Sequence, residues 1–259
     1  MTINIGIKCI DGIVIASDSQ VGFGRGVEVK RVNANKIYSW DRRFALAGSG
    51  ILAQIQTVVD NVRAAIAQRE ASQRSLLNKD ECEDTIERVM WALHARYNIQ
   101  RSQAIGADER EFFNPICVFA ARNTGEAGND ALCLYIIHAN GIVEPVDDYA
   151  TSGSGAAYAE LLLKNLYSDN MNVQDAMKIA TYVVNEVKEI DPNCGGPTKI
   201  GILTQQDYNE LSGVEVLQMT QNVKPILDLV RTRLVLKSLR GEINKDAIET
   251  ISGERKTDS

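Results

Sequence analysis

The sequence predicts a single domain of the α+β class. Its strand-like and helix-like segments come in separate runs: strands, two helices, strands, two helices, strands and one helix, whereas a βαβ protein would alternate them. The chain has 259 residues, 44% of them hydrophobic, and neither a linker-like change of composition nor an internal repeat divides it. We therefore expect one domain over residues 1–220, with a helical extension over residues 221–259 packed on it and fraying after about residue 245.

The opening segment predicts four short strands paired antiparallel. Apolar side chains alternate at a period of two from Ile3 to Cys9, and Asp11-Gly12 is a turn signal before the apolar run IVIAS. After the glycine-rich stretch GFGRG, the segments NKIYSW and FALAG flank a turn at residues 41–43. GFGRG follows a strand but leads into no helix, so it lacks the context of a phosphate-binding loop.

Two amphipathic helices are predicted next. Apolar residues repeat at helical spacing over residues 51–66 and again over residues 86–97. Asn78, with Glu81 three residues later, predicts a capping box at the start of the second helix. Each helix carries one apolar stripe and so needs one surface to pack on, which is most simply the sheet.

The second half of the chain predicts further strands and three helices. Residues 98–114 are polar and predict a loop, after which PICVFAARN, ALCLYIIHAN and residues 142–144 predict strands. One helix is expected after the glycines of ATSGSG, and another over residues 173–187, which Pro192 ends. TKIGILTQ and GVEVLQMT predict two more strands, and a last helix is expected from near Pro225.

Charge and hydropathy exclude several partners. The formal net charge is −6, which argues against nucleic acid as the main partner. No apolar run reaches the roughly 18 residues that a membrane helix needs, and no charged-then-apolar signal segment opens the chain. We therefore expect no membrane association.

The cysteines and histidines predict no metal site. The cysteines form an odd set without a CxxC pair, which indicates reduced structural thiols in a cytoplasmic protein. The two histidines, His94 and His138, lie far apart in the sequence. We expect neither a bound metal nor a cofactor. The cysteines are Cys9, Cys82, Cys117, Cys133 and Cys194.

Thr2 is the first candidate catalytic residue. It is small enough for an aminopeptidase to remove Met1, which would leave Thr2 with a free α-amine beside its own hydroxyl. An N-terminal threonine can be a nucleophile, because its α-amine, with a pKa of about 7.7–8.0, is partly neutral at pH 7 and can act as base. Taken alone, a Met-Thr start is common and favours an ordinary start codon followed by a strand residue.

Further residues follow Thr2 in a characteristic order, and together they carry a family resemblance. They are Asp18 in ASDS, Lys36 in NKIY, Gly48 in LAGSG, Ser154 in TSGSG, and Asp191 and Cys194 in DPNCGG. This ordered set resembles the proteasome β-subunit family of N-terminal nucleophile hydrolases, including its HslV-type and ancestral β-subunit types. The resemblance runs from Thr2 to about Leu203. It implies a four-layer αββα sandwich of two antiparallel sheets.

The resemblance implies a catalytic role for four of these residues. Thr2 matches the nucleophile, Lys36 the lysine beside it, and Asp18 the acid that keeps this lysine charged and aimed. An ammonium about 4 Å from the hydroxyl would favour its ionisation by about 4 kcal/mol at an effective dielectric of 20. Gly48 matches the glycine whose N–H stabilises the oxyanion, and losing such a donor typically costs about 2.7–4 kcal/mol of barrier.

Three more residues match the family positions that support the α-amine and position the threonine. These are Ser154, Asp191 and Cys194. Cys194 stands where the family usually has serine, and a thiol is a poorer hydrogen-bond partner than a hydroxyl. Support of the amine is therefore expected to be weaker or reorganised.

The resemblance also implies a substrate pocket and an assembly. Val21, Ala34 and Leu46 fall where the family lines its side-chain pocket, and they would favour a neutral or hydrophobic residue before the cut. Family members act on peptides as homo-oligomers, often as stacked double rings, and some are fed by an ATPase. Whether an ATPase serves this chain stays open.

Other interpretations of the same residues remain. Lys36 could be a solvated lysine at a strand end, and Asp18 could cap a turn. At the level of the whole protein, the alternatives to a threonine peptidase are a catalytically silent ring subunit and an amidase that acts on a small amide.

Overall fold

A computed structural model of the chain describes residues 2–23, 30–99, 113–124 and 130–229. Within these residues the strands are β1 (Asn4–Lys8), β2 (Ile13–Ser17), β3 (Gln20–Phe23), β4 (Lys30–Asn33), β5 (Ile37–Trp40), β6 (Phe44–Ser49), β7 (Ile116–Thr124), β8 (Asp130–Ile137), β9 (Val143–Val146), β10 (Tyr149–Ser152), β11 (Lys199–Leu203) and β12 (Tyr208–Glu210). The helices are α1 (Leu52–Gln73), α2 (Lys79–His94), α3 (Ala156–Leu166), α4 (Val173–Ile190) and α5 (Gly213–Leu229), with a π-helical turn (Ala95–Ile99) after α2.

The strands form two antiparallel sheets and a ribbon. The first sheet has the order β10-β1-β2-β11-β12, and the second has the order β5-β6-β7-β8-β9. Within the described parts of the chain, strands β3 and β4 pair only with each other. In the first sheet the register pairs Asn4 with both Ser152 and Ser17, so β1 is hydrogen-bonded on each side.

Three hydrophobic clusters show how the sheets and helices are layered. On β2, Val14 and Ala16 face α3, α4 and α5, whereas Ile13 and Ile15 face the second sheet. Helices α1 and α2 cover the other face of the second sheet. This alternation of burial toward opposite sides is what a strand between two apolar layers requires. The result is the predicted four-layer αββα sandwich.

Several local predictions are confirmed. The apolar stripe of the first predicted helix is buried on α1. Asn78 and Glu81 form the predicted capping box at the start of α2, with the Glu81 N–H donating to the Asn78 side chain and the Asn78 N–H donating to Glu81. Helix α4 ends at Ile190, immediately before the Asp191-Pro192 pair that was predicted to end it.

The four opening strands are paired antiparallel, as predicted, but the two pairs belong to different sheets. The first two are β1 and β2 of the first sheet, whereas NKIYSW and FALAG form β5 and β6 of the second. Between the two pairs lies the β3–β4 ribbon, which the sequence analysis did not predict. Local periodicity identifies a strand, but the choice of sheet depends on contacts that are distant in sequence.

The segment GVEVLQMT is helical rather than extended. It forms the first part of α5, in which Val216 is buried and Val214 and Leu217 are exposed. A signal for this helix was overlooked: Ser212 and Glu215 make a capping box, because the Ser212 N–H donates to the Glu215 carboxylate and the Glu215 N–H to the Ser212 hydroxyl.

The predicted division of the chain at residues 220 and 221 can be compared with the structure only in part. The expected boundary between residues 220 and 221 lies inside α5, which continues unbroken to Leu229. The remainder of the predicted extension, and most of the predicted loop over residues 98–114, lie outside the described residues. In the described parts of the chain, we find no helix with the length and apolar character needed to cross a bilayer.

Candidate active site

Thr2 lies in a cleft between the two sheets, just before β1. The cleft has a volume of about 950 Å³, and Thr2 itself is only 4% exposed. Lys36, Gly48 and Ser154 line the same cleft. The first sheet therefore supplies the threonine, while the residues around β5 and β6 supply the opposite wall.

Thr2, Lys36 and Asp18 form a continuous hydrogen-bonded group. The Lys36 Nζ donates to the Thr2 Oγ1 at 2.5 Å and to the Asp18 Oδ1 at 2.7 Å. The lysine is 3% exposed and the aspartate is fully buried, so Lys36 is not a solvated lysine at a strand end. Asp18 follows β2 directly and Lys36 precedes β5, so the group joins residues from both sheets.

The charge of Lys36 is set by two opposing effects. Burial, the larger effect, lowers the pKa of the ammonium, while the charge of Asp18 and its hydrogen bond raise it. The pKa of Lys36 therefore lies below its ordinary value. Asp18 offsets the cost of burying the ammonium but does not remove it.

Asp18 is held by four donors. Its Oδ1 accepts from the Ile3 N–H at 3.1 Å and from Lys36, and its Oδ2 accepts from the Gln20 N–H at 3.2 Å and the Gly195 N–H at 3.0 Å. A buried carboxylate is tolerated when its oxygens are satisfied in this way. The same bonds fix the backbone on either side of the cleft.

Gly48 lies where α1 packs against β6. A side chain at this position would collide with Ile55 of α1, so only glycine fits without displacing the helix. The Gly48 N–H donates to the Lys36 carbonyl over a long distance of 3.4 Å. An oxyanion at this N–H would share it with Lys36 or displace that weak contact.

A second polar group lies beside Thr2 and contains the other three predicted residues. The Ser154 hydroxyl donates to the Asp191 Oδ2 at 2.6 Å, and the Cys194 thiol donates to the same oxygen at 3.5 Å. The Cys194 Sγ and the Ser154 Oγ are 3.9 Å apart. The Gly155 N–H donates to the Thr2 carbonyl at 3.2 Å, which ties this group to the threonine backbone.

The electrostatics of this second group keep its thiol neutral. Burial, together with the nearby charges of Asp18 and Asp191, raises the pKa of Cys194 to about 12. For Asp191, burial raises the pKa, but hydrogen bonds from Ser154, Asn193 and Cys194 together lower it by more. Asp191 is thus an anion and Cys194 a protonated donor at neutral pH.

The predicted substrate-binding residues do not all reach the cleft. Val21 lines it, as part of the unpredicted β3, but Ala34 and Leu46 do not. Leu46 is fully buried in the cluster between the second sheet and its helices. The structure adds Gln54, whose side-chain oxygen accepts from the Asn114 N–H at 3.2 Å.

Gly153 is a further residue of the site that the sequence analysis did not single out. It has a φ of +103°, and it contacts the backbone of Thr2. The only signal in the sequence is the glycine itself, because glycine is the default residue where the backbone needs a positive φ. Among the described residues, we find no cluster of three or more His, Cys, Asp and Glu arranged to hold a metal ion.

The fold is that of the N-terminal nucleophile hydrolases, an αββα sandwich, here with a threonine just before the first strand. A family model described as "Proteasome subunit" matches residues 2–107 and 119–203. This chain belongs to the proteasome subunit family.

Curated relatives agree with this assignment. The chain is 28% identical over 211 residues to "Proteasome subunit beta" of Nanoarchaeum equitans (strain Kin4-M), which covers 82% of this chain and 97% of the relative. It is 27% identical over 207 residues to "Proteasome subunit beta 2" of Caldivirga maquilingensis, which covers 80% and 92%. A third relative, "Proteasome subunit beta 2" of Pyrococcus abyssi, is 24% identical over 211 residues, covering 82% and 90%.

Proposed function

We propose that this chain is a threonine endopeptidase in which Thr2, once Met1 is removed, attacks peptide bonds. One observation carries the proposal: a buried ammonium lies 2.5 Å from the Thr2 hydroxyl oxygen and 2.7 Å from a fully buried carboxylate. A positive charge at this distance favours the alkoxide over the hydroxyl. The similarity to proteasome β subunits supports a proteasome-type threonine peptidase at the level of the family.

The proposed reaction uses two groups of Thr2, its α-amine as the base and its side-chain hydroxyl as the nucleophile. The α-amine takes the hydroxyl proton as Oγ1 attacks the carbonyl carbon of the substrate, and a tetrahedral oxyanion forms near the Gly48 N–H. The amine then passes its proton to the leaving nitrogen as the peptide C–N bond breaks and an ester to Thr2 remains. Water hydrolyses this ester, which restores the hydroxyl.

The remaining predicted residues have supporting roles in this proposal. Lys36 stabilises the negative charge on Oγ1, and Asp18 holds Lys36 while accepting from the Ile3 N–H. Ser154 and Asp191, hydrogen-bonded to each other, hold the α-amine side of Thr2. Val21 contributes to side-chain binding. Because Ala34 and Leu46 lie outside the cleft, we do not extend that role to them.

The similarity to proteasome β subunits favours a peptide over a small amide as substrate. The cleft, with a volume of about 950 Å³, lies in the range of ligand-binding sites and does not distinguish the two. A silent ring subunit would have no use for an ammonium held between a threonine and a buried carboxylate. We therefore prefer the peptidase function over the silent ring subunit and over the amidase.

We further propose that the chain works as a homo-oligomeric, stacked ring in a reducing, cytoplasmic compartment. The relatives are named as subunits, and large apolar side chains such as Trp91 on α2 and Leu161 on α3 are more than half exposed, as at interfaces between chains. All five cysteines are free thiols, which supports the compartment. Electron microscopy of the purified particle tests the ring.

Two measurements test the mechanism. Thr2→Ala should abolish hydrolysis of fluorogenic peptides, whereas Thr57→Ala on the outer helix α1 should leave it unchanged. The intact mass of the active protein should lack Met1. Full activity in Thr2→Ala, or an active particle that retains Met1, would contradict the proposed nucleophile and base.

A further inference from the structure

A second lysine, partly buried, lies on α4 near the candidate active site. Lys188, on α4, donates through its Nζ to the Asn185 side-chain oxygen at 3.3 Å and to the Thr198 hydroxyl. Thr198 in turn donates to the same Asn185 oxygen at 2.9 Å. Asn185 also donates to the Thr220 hydroxyl of α5 at 3.0 Å, so the lysine is fixed in a closed polar network.

The network adjoins the Asp18–Lys36 pair through the first sheet. Strand β11 pairs with β2 so that Lys199 lies opposite Ser17. Continued by one residue, this antiparallel register places Thr198 opposite Asp18. The hydrogen bond to Thr198 therefore joins Lys188 to the residue that lies opposite Asp18 across the sheet.

Charged groups of the site act on the pKa of Lys188. Burial is the main effect and lowers the pKa of Lys188 to about 8. The charges of Asp18 and Cys194 act in the opposite direction, and the ammonium of Lys36 adds to the lowering. Two ammonium groups thus influence each other across one buried carboxylate.

Lys188 reaches solvent by a route of its own. It lines a cavity of about 240 Å³ between α4 and α5, together with Tyr182, Glu186, Glu189 and Thr220. This cavity shares no lining residue with the cleft that contains Thr2. The lysine can therefore gain or lose a proton while the cleft is occupied.

We propose that Lys188 is a positioning residue of the Thr2 site, whose partly buried ammonium, held by Thr198 and Asn185, sets the electrostatic potential at the Asp18–Lys36 pair. A positive charge behind Asp18 makes the proton on Lys36 easier to lose and negative charge on Thr2 easier to form. The effect on catalysis rests on the proposed peptidase function, whereas the electrical coupling between the two lysines does not.

The pH dependence of peptide hydrolysis tests the catalytic effect. Lys188→Met should lower kcat about tenfold, equivalent to one pKa unit at Thr2, with KM unchanged because Lys188 lies outside the cleft. Lys188→Arg should retain kcat and move the alkaline fall in kcat upward, because a guanidinium does not titrate in this range. Lys178→Met, the same change at an exposed site on α4, is the control and should match the parent.

The shape of the profile separates this role from a merely structural one. If Lys188→Met and the parent show the same pH dependence of kcat, the proposal is overturned even where the overall rate is lower. An alkaline fall in Lys188→Arg at the pH of the parent overturns it as well. The arginine variant retains the charge and so provides this test even if the methionine variant fails to fold.

Chemical labelling tests the coupling without any peptidase activity. The rate at which acetic anhydride labels Lys36, followed by peptide mass spectrometry across pH, reports the ionisation of that amine. Removing the second ammonium in Lys188→Met should shift the labelling of Lys36 to higher pH. An unshifted profile overturns the proposal, while a shift in a protein that cleaves no peptide supports the coupling and counts against the peptidase function instead.

Discussion

Gly153 lies so close to the backbone of Thr2 that there is no room for a side chain at position 153. A Cβ at Gly153 would overlap the carbonyl oxygen of Thr2, and the φ of +103° is itself unfavourable for any residue with a side chain. Two residues further on, the Gly155 N–H donates to the same carbonyl. The backbone of the TSGSG run therefore sets the position of the candidate nucleophile.

We expect Gly153→Ala to displace Thr2 and to abolish peptide hydrolysis. The positive φ alone should lower the free energy of unfolding by about 1–3 kcal/mol, and the clash with Thr2 adds to this. Gly213→Ala is the matched control, since a Cβ there meets nothing within 4 Å. Thermal unfolding and hydrolysis rates measure both effects, and a fully active Gly153→Ala would contradict this account.

We expect Asp18→Asn to destabilise the protein strongly as well as inactivate it. The change leaves the buried ammonium of Lys36 without its counter-ion, and breaking a buried pair typically costs about 3–5 kcal/mol. The Lys8–Asp147 pair has the same N–O distance of 2.7 Å but is exposed to solvent. Asp147→Asn should therefore leave the denaturant midpoint nearly unchanged. Equal midpoint shifts in the two variants would show that burial does not decide the difference.

We expect Cys194→Ser to be at least as active as the parent. A hydroxyl is a stronger donor than a thiol to the Asp191 carboxylate, which Cys194 contacts at 3.5 Å. Cys194→Ala removes this donor and should lower both kcat and stability, the latter by about 0.5–1.5 kcal/mol. Steady-state kinetics distinguish the variants, and an alanine variant faster than the serine variant would contradict a donor role.

We expect the free energy of unfolding to fall as the pH rises above about 9. Burial raises the pKa of Cys9, Cys82, Cys117 and Cys194 from 9.0 to about 12. Between these values the unfolded chain loses thiol protons that the folded chain keeps, so alkaline pH favours unfolding. The lowered pKa values of Lys36 and Lys188 have the opposite effect on stability, but these two lysines are fewer than the four cysteines.

Cys117 offers the sharpest test of this pH dependence, because burial is the sole cause of its shift. Urea unfolding of Cys117→Ala across this range should show a slope shallower by up to about 1.4 kcal/mol per pH unit. The smaller side chain also lowers stability at every pH, but that offset does not affect the slope. Parallel curves for the parent and the variant would rule out the thiol as a source.

Much of the fold could be predicted from local patterns. The apolar stripes of α1 and α4, the Asn78–Glu81 capping box and the end of α4 before Pro192 are each specified within a few residues. Such features depend on hydrogen bonds and side-chain spacing within one turn of helix. The error at GVEVLQMT has the same origin, since its few apolar residues suit either period and the capping box at Ser212 was overlooked.

The sequence by itself determined which residues could supply chemistry, their order along the chain, and the class of fold that such an order implies. Only the tertiary structure decided which of them meet. Lys36 reaches Thr2 because the second sheet packs against the first, and Leu46 is buried on the opposite face of the second sheet, against its helices. These contacts join residues far apart in the chain, and their geometry follows from how two sheets fit together, which no local pattern encodes.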